Sequence, residues 1–361
     1  MGNAAVLGMR EDLSLAGNRF NIALTVFFIP YVLFEIFYMR HELATRMGYL
    51  NAIVTLSGAF GGLLATGFTR VPTLGTLHTW RHILFFEVLT STIVSLATFL
   101  LPNSIASCDF LTEEERAYAS SRLLEEARSM ASEKMGRTTF QRALLHVPTH
   151  MVSVGLICST CSMGSLQLLS PTLLRNMGFS GQAAQLMSVP PYVFGAVICV
   201  TTATLSNKFH RRGVFFMGLL VPMILAGFAL NRFVDGMAGH YVGLFLAVAG
   251  AFTSSPLLLS WAVDNTSGAA AKGVAAAYVI GFGDCGQLLS TWTYRITDAP
   301  GFTAGHTINM VAACLLLIAA AGHTYYAKVE NKKRANGLRD HRLQNEAGGL
   351  SHTHPLFKFT P

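Results

Sequence analysis

The sequence predicts an all-α membrane protein built as a bundle of nine transmembrane helices. Three observations predict it. Nine apolar stretches run through the 361 residues, at 20–39, 49–69, 82–101, 149–169, 187–206, 213–231, 239–261, 271–294 and 305–326. Most reach the ~20 residues that a helix needs to cross a hydrocarbon core ~30 Å thick. Hydrophobic residues make up 52% of the chain and charged ones only 12%, against ~25% charged in soluble domains. The charges also cluster between the apolar runs, and in lipid each run must satisfy its own backbone polar groups, which makes it a helix.

Residues 1–101 carry the first three spans. Residues 1–19 include Arg10, Glu11, Asp12 and Arg19 and lack the apolar core of a signal peptide, so the 20–39 span is expected to be the first insertion signal. Span 49–69 contains Gly58 and Gly62, a G-x-x-x-G spacing that suits close helix packing. Leu101-Pro102 stops the third span. Residues 102–146 are polar and form a central cytoplasmic segment. There Thr112 and Glu115 have the spacing of a reciprocal helix cap, with acids at the helix N-terminus. Leu123, Leu124, Ala127 and Met130 follow at helical spacing, as in an amphipathic helix on the membrane face or a solvated linker helix. Residues 147–327 hold six more spans. Residues 328–361 are a basic tail, expected to be disordered beyond Gly337, with Lys332-Lys333-Arg334 suited to anionic lipid headgroups.

With the N-terminus outside and alternation thereafter, 19 of the 26 Lys and Arg residues fall inside. Positive loops stay cytoplasmic, so the expected protein is multi-pass in the plasma membrane, N-terminus outside and C-terminus inside. The net charge of +7 belongs to these loops, and no nucleic-acid partner is expected. Five of the six cysteines lie in apolar spans, including the pair Cys158 and Cys161, which reads as packing because no second ligand pair accompanies it. Gly281, Gly283 and Gly286 match G-x-G-x-x-G, but within an apolar run rather than after a strand, so helix packing explains them. Asn265-Thr266-Ser267 is a glycosylation sequon expected on the cytoplasmic side and so unmodified. No Walker, zinc or Ser/His/Asp pattern is present. Neither an enzyme nor a cofactor nor a metal is expected.

Six spans after a central cytoplasmic segment form a complete transporter half, with substrate held at mid-membrane between halves. The ordered motifs resemble the major facilitator superfamily, and within it the fungal anion:cation symporters that include allantoate and nicotinate permeases. Asn18-Arg19-Phe20-Asn21 looks like the approach to that family's second helix, and Phe28-Ile29-Pro30-Tyr31 through Glu35 looks like the helix itself. Gly58 to Ala65 resembles its fifth helix, and Trp80-Arg81-His82 with Glu87 resembles the opening of its sixth. Leu111 to Arg116 is similar to its central loop, and Ser188-Val189-Pro190-Pro191-Tyr192 to its eighth helix. Pro256, Ser260-Trp261 and Asn265 look like its tenth helix, and Gly305-His306 with Asn309 like its twelfth. The resemblance implies a major facilitator-type bundle whose N-terminal half is incomplete, lacking counterparts of the first, third and fourth helices. Phe37-Tyr38-Met39 is followed almost at once by Glu42-Leu43-Ala44, which reads as the lead-in to the fifth helix. Asn207, followed by Lys208, Arg211 and Arg212, stands where the superfamily's charged loop usually has Asp, which implies a weakened contact there.

The expected function is secondary transport of a small organic anion, carboxylate or ureide-like, with protons by alternating access. The alternative is a truncated, transport-inactive member of the same family. Asp284 is the candidate for proton coupling, because an acid within a span is costly and usually functional. Gln167, Tyr192, Tyr278 and Gln287 are candidate hydrogen-bond donors to substrate. His306 and Asn309 share a helix face at i, i+3 and are candidates for substrate contact or for a bonded packing pair. Glu35, Trp80, Arg81, Glu87, Asn207, Arg211 and Arg212 are structural or gating candidates. The expected partners are the substrate, the proton and the bilayer.

Overall fold

A computed structural model describes residues 44–68, 71–72, 80–97, 112–118, 120–121, 137–209, 211–340 and 354–361. Span 20–39 and Glu35 lie outside the described residues, as do Leu123, Leu124, Ala127 and Met130. The helices are α1 (Ala44–Phe68), α2 (Trp80–Ala97), α3 (Arg137–Leu144), α4 (Val147–Asn176), α5 (Gly181–Phe209), α6 (Arg212–Phe215), α7 (Val221–Phe233), α8 (Met237–Asp264), α9 (Ala269–Gly283), α10 (Cys285–Thr293) and α11 (Thr303–Ala335). Among the described residues, five helical stretches are long and apolar enough to cross a membrane: 147–168, 181–209, 212–233, 237–264 and 303–335. A shorter apolar helix covers Ala52–Phe68. The nine expected spans are therefore not all represented in that form, and the expected span 271–294 is two helices with a break at Asp284.

Local chemistry explains the irregularities. One wide turn, Phe216–Leu220, joins α6 to α7. Pro222 follows it, and a proline has no N–H for the carbonyl four residues back and crowds that carbonyl, so a widened turn accommodates it. The prolines inside α4, α5 and α8 (Pro171, Pro190, Pro191 and Pro256) leave those helices continuous, as neighbouring helices allow in a membrane. On the exposed face of α2, the hydroxyls of Thr90, Ser91 and Thr92 donate to the carbonyls of Phe86, Glu87 and Val88 at 2.7–2.8 Å. Polar side chains among exposed Val88, Ile93 and Leu96 are thus satisfied within their own helix.

Most of the buried core lies within residues 147–335, and Ala59 of α1 joins it. Trp261, Phe216, Phe228 and Phe252 are its largest fully buried side chains, and the Trp261 and Phe216 rings stack with centroids 5.5 Å apart. α1, from the first half, packs along α5. A Cβ at Gly58 would lie 2.8 Å from the Tyr192 ring, and one at Gly62 would lie 2.6 Å from the Gln185 carbonyl oxygen. The G-x-x-x-G spacing therefore brings these two backbones together.

The Thr112–Glu115 cap forms. The Thr112 N–H donates to Glu115 Oε2 at 3.0 Å, and the Glu115 N–H donates to Thr112 Oγ1 at 3.3 Å. The Thr112 backbone N–H, and then its hydroxyl, hold the Glu115 carboxyl below its usual value. Disorder beyond Gly337 does not hold for the end of the tail. Residues 354–361 fold back onto the helix ends, where Phe359 is 2% exposed, because side chains of α8 and α11 satisfy their backbone groups.

Candidate functional site

The break between α9 and α10 has a specific cause. In a continuous helix the Gly283 carbonyl would accept the N–H of Gln287. Instead Gln287 donates to the Asp284 carbonyl at 2.9 Å, and the Thr160 hydroxyl of α4 donates to the Gly283 carbonyl at 2.5 Å. A side chain inserted into the hydrogen-bond ladder kinks a helix. Glycine makes the approach possible. A Cβ at Gly286 would fall inside contact distance of the Ile157 carbonyl and the Thr160 hydroxyl, and one at Gly283 would collide with Leu156. Gly164 of α4 offers the reciprocal gap, facing Gln287 and Ser290. The G-x-G-x-x-G run is a packing surface, as its apolar setting predicts.

Asp284 sits at this break, 9% exposed, and Gln287 is 5% exposed on the next turn. These two candidates share one site against α4. His306 and Asn309 form a second, separate cluster, in which the hydroxyl of Tyr294 pairs with His306 Nδ1 at 2.9 Å. Asn309 Nδ2 donates to the Gly305 carbonyl at 3.0 Å and approaches Ser165 Oγ at 3.4 Å and Tyr294 Oη at 3.5 Å. His306 and Asn309 are 3% and 0% exposed, and these contacts tie α4, the end of α10 and α11 together.

The remaining donors are dispersed. Tyr192 is 3% exposed, and its hydroxyl donates to the Leu166 carbonyl at 3.1 Å and lies 3.2 Å from Ser170 Oγ. Its ring packs edge-on against Phe252. These contacts link α5 to α4. Tyr278 pairs with His150 Nδ1 at 2.8 Å and lines an apolar groove of about 370 Å³ with Phe140, Leu144 and Phe282. Gln167 is exposed on α4.

Of the gating candidates, Arg212 has the clearest role. It is 4% exposed. Its Nε donates to Asp264 Oδ2 at 2.8 Å, its Nη2 lies 2.6 Å from the same oxygen, and Nη2 also donates to Asn207 Oδ1 at 3.2 Å. Arg212 thus bonds both Asn207, five residues before it, and Asp264, at the end of α8. Arg211 is exposed. Arg81 and Glu87 are partly buried on α2, and the Trp80 side chain lies outside the described residues. Asn265 of the sequon is 0% exposed, and its amide bonds the tail.

Sequence reasoning missed Tyr294, Ser165 and Asp264. Tyr294 and Ser165 carry no signal, because a tyrosine at a helix end and a serine in an apolar run are common. Asp264 had one: a lone acid ending one apolar span, on the same predicted side as an arginine opening another. Among the described residues, no group of three or more His, Cys, Asp or Glu side chains could hold a metal ion.

Comparisons with known proteins agree with this architecture. A family model described as Major Facilitator Superfamily matches residues 37–291. The uncharacterized transporter C1002.16c of Schizosaccharomyces pombe is 23% identical over 402 residues, covering 94% of this chain and 80% of that protein. The high-affinity nicotinic acid transporter of Saccharomyces cerevisiae is 24% identical over 429 residues, covering 99% of this chain and 79% of that protein. A solved structure of the proton:xylose symporter XylE, bound to 6-bromo-6-deoxy-D-glucose, shares the fold with a TM-score of 0.56 at 17% identity. The match covers 78% of this chain and 64% of XylE.

Proposed function

Because the chain belongs to the Major Facilitator Superfamily, a family of multi-pass membrane transporters rather than enzymes, we propose that it is a secondary transporter. Its cargo is a small organic anion, carboxylate or ureide-like, moved with protons across the plasma membrane by alternating access. The likeness to a nicotinic acid transporter over 99% of this chain carries the choice of an anion. Asp284 carries the choice of proton coupling: it is an acid at a helix break within the membrane, where broken helices commonly hold coupling ions and substrate. Gln287 on the next turn is the candidate donor to the carboxylate beside Asp284, Gln167 is a separate candidate on α4, and Arg81 and Glu87 are candidate supporting residues on α2. The basic end of the bundle faces the cytoplasm.

The test is uptake of radiolabelled nicotinate, as a probe carboxylate, by cells that express the chain, with and without a protonophore. Accumulation that the protonophore abolishes supports the proposal. Uptake equal to that of empty-vector cells, with the chain present in the membrane, overturns it.

A second reading has its own support. The alignments to the two relatives run over 402 and 429 residues, more than the whole 361-residue chain. Those relatives therefore carry residues with no counterpart here. A missing helix pair between Met39 and Glu42 fits that excess and would leave a truncated member that does not transport alone. Sequencing the transcript across these codons separates the readings: two further apolar segments favour the transporter, and a transcript matching the chain favours the truncated member.

A further inference from the structure

The last eight residues occupy a built site. Asn331 of α11 matches both backbone groups of Phe359: its Oδ1 accepts the Phe359 N–H and its Nδ2 donates to the Phe359 carbonyl, each at 2.8 Å. Asn265, just beyond α8, does the same for Thr360, accepting its N–H at 2.7 Å and donating to its carbonyl at 3.2 Å. A primary amide carries one acceptor and one donor group side by side, so each asparagine imitates the pairing edge of a neighbouring strand. Trp261 Nε1 adds a bond to the Thr360 carbonyl at 2.9 Å, and the Gly213 N–H reaches the Pro361 carbonyl at 3.4 Å. Upstream, Arg334 donates to the carbonyls of Phe357 and His354 at 2.7 and 3.1 Å. Glu330 orients Arg334 from the turn before, and Arg339 bonds both Glu330 oxygens at 2.8–2.9 Å.

Phe359 is the main anchor of the segment. Phe359 is 2% exposed; its ring centroid lies 5.8 Å from that of His146, 5.9 Å from that of Tyr326, and 4.5 Å from the Arg334 guanidinium. Chain ends are usually poorly ordered unless something ties them down. Here the ties come from four places: the N-cap of α4, α6, α8 and α11. Two of them adjoin the half-buried Arg212–Asp264 ion pair, since Gly213 follows Arg212 and Asn265 follows Asp264.

We propose that these helix ends form a peptide-binding site whose occupant is the chain's own segment 354–361, and that its docking latches the helix ends and holds the Arg212–Asp264 pair in place. The recognition is mostly of backbone, so it tolerates sequence change at the exposed positions 356 and 358 and depends on an aromatic residue at 359, against which the Phe357 ring packs at 5.2 Å. It does not rest on transport, and its tests read none.

Amide hydrogen exchange at Phe359 and Thr360, in the purified full-length protein in nanodiscs, tests the docking. The expected result is exchange slowed at least about tenfold relative to an unstructured peptide. That protection is lost in the Asn265→Ala/Asn331→Ala double variant, while core amides of α8 stay protected. Random-coil exchange in the unmodified protein overturns the proposal. Protection that falls on dilution also overturns it, because the occupant would then be a second copy. The coupling to the ion pair is tested by thermal unfolding of Asp264→Asn, of the chain lacking 354–361, and of both together. A combined loss smaller than the sum of the two supports the latch, and additive losses overturn its link to the pair.

Discussion

Arg212 and Asp264 are unequal partners, and this sets what each substitution does. The Arg212 side chain is 5% exposed and that of Asp264 is 35% exposed. Removing the acid leaves a guanidinium buried without its counter-charge. Removing the arginine leaves a carboxylate that water can still reach. Breaking a fully buried pair costs about 3–5 kcal/mol, and the exposure of Asp264 moves this one to the lower end, so Asp264→Asn is expected to cost up to about 3 kcal/mol. Arg212→Met is expected to cost clearly less. Thermal unfolding of the two variants in the same lipid checks the order, and a larger loss for Arg212→Met would refute the argument. Asp284 is a residue of another kind, because its predicted effect is on coupling rather than folding. Asp284→Asn is expected to insert normally but to lose accumulation driven by a pH gradient. Gradient-driven accumulation at the unmodified level would remove Asp284 from the coupling step.

At the scale of elements, the α9–α10 break makes a contrast available within one helix pair. Gly286→Ala places a methyl group against the Ile157 carbonyl and the Thr160 hydroxyl. Backbone atoms there cannot move cheaply, so the expected loss is about 1–3 kcal/mol, as for other overpacked interiors. At Gly273, near the start of α9, a Cβ would meet nothing within 4 Å. Gly273→Ala is expected to be neutral, or to stabilise by up to about 1 kcal/mol through helix propensity. Unfolding of the two variants in parallel checks both signs. The same logic applies between halves: Gly58→Leu would drive a side chain into the Tyr192 ring and is expected to separate α1 from α5. A cysteine crosslink between these helices would then form in the parent and fail in the variant. The helices were legible in the sequence because their apolar length is a local property. The break was not, because it depends on Thr160 arriving from α4, more than a hundred residues earlier in the chain.

At the scale of the molecule, the described residues are unevenly distributed along the chain. Residues 137–361 contain most of the large buried core, the polar cluster of Tyr294, His306 and Asn309, the ion pair and the docked tail. From the first half, α1 packs along α5. If residues are missing between Met39 and Glu42, inserting the corresponding segment from a relative is expected to convert a chain without uptake into one with protonophore-sensitive uptake. Labelled-nicotinate uptake by the two proteins, matched for membrane yield, is the measurement. Equal uptake by both would show that the shorter chain already has what it needs.

The sequence by itself determined that the chain is helical and membrane-embedded, where most spans run, that Gly58 and Gly62 mark a close approach, and that Thr112 and Glu115 cap a helix. Each of these follows from composition, periodicity or short spacing, and lipid leaves a backbone few alternatives. Only the tertiary structure decided what the polar side chains do. Tyr192 and Tyr278 look alike as donors in apolar runs, yet Tyr192 is bonded to α4 in the buried core and Tyr278 pairs with His150 of α4 beside an apolar groove. Asp264, which the sequence left without a role, is the partner of Arg212, and the tail, read as disordered, meets two asparagines that match its backbone. The reason is common to all of them: a polar group in a low-dielectric interior must find a partner, and its partner is set by which helices meet, not by its neighbours in sequence.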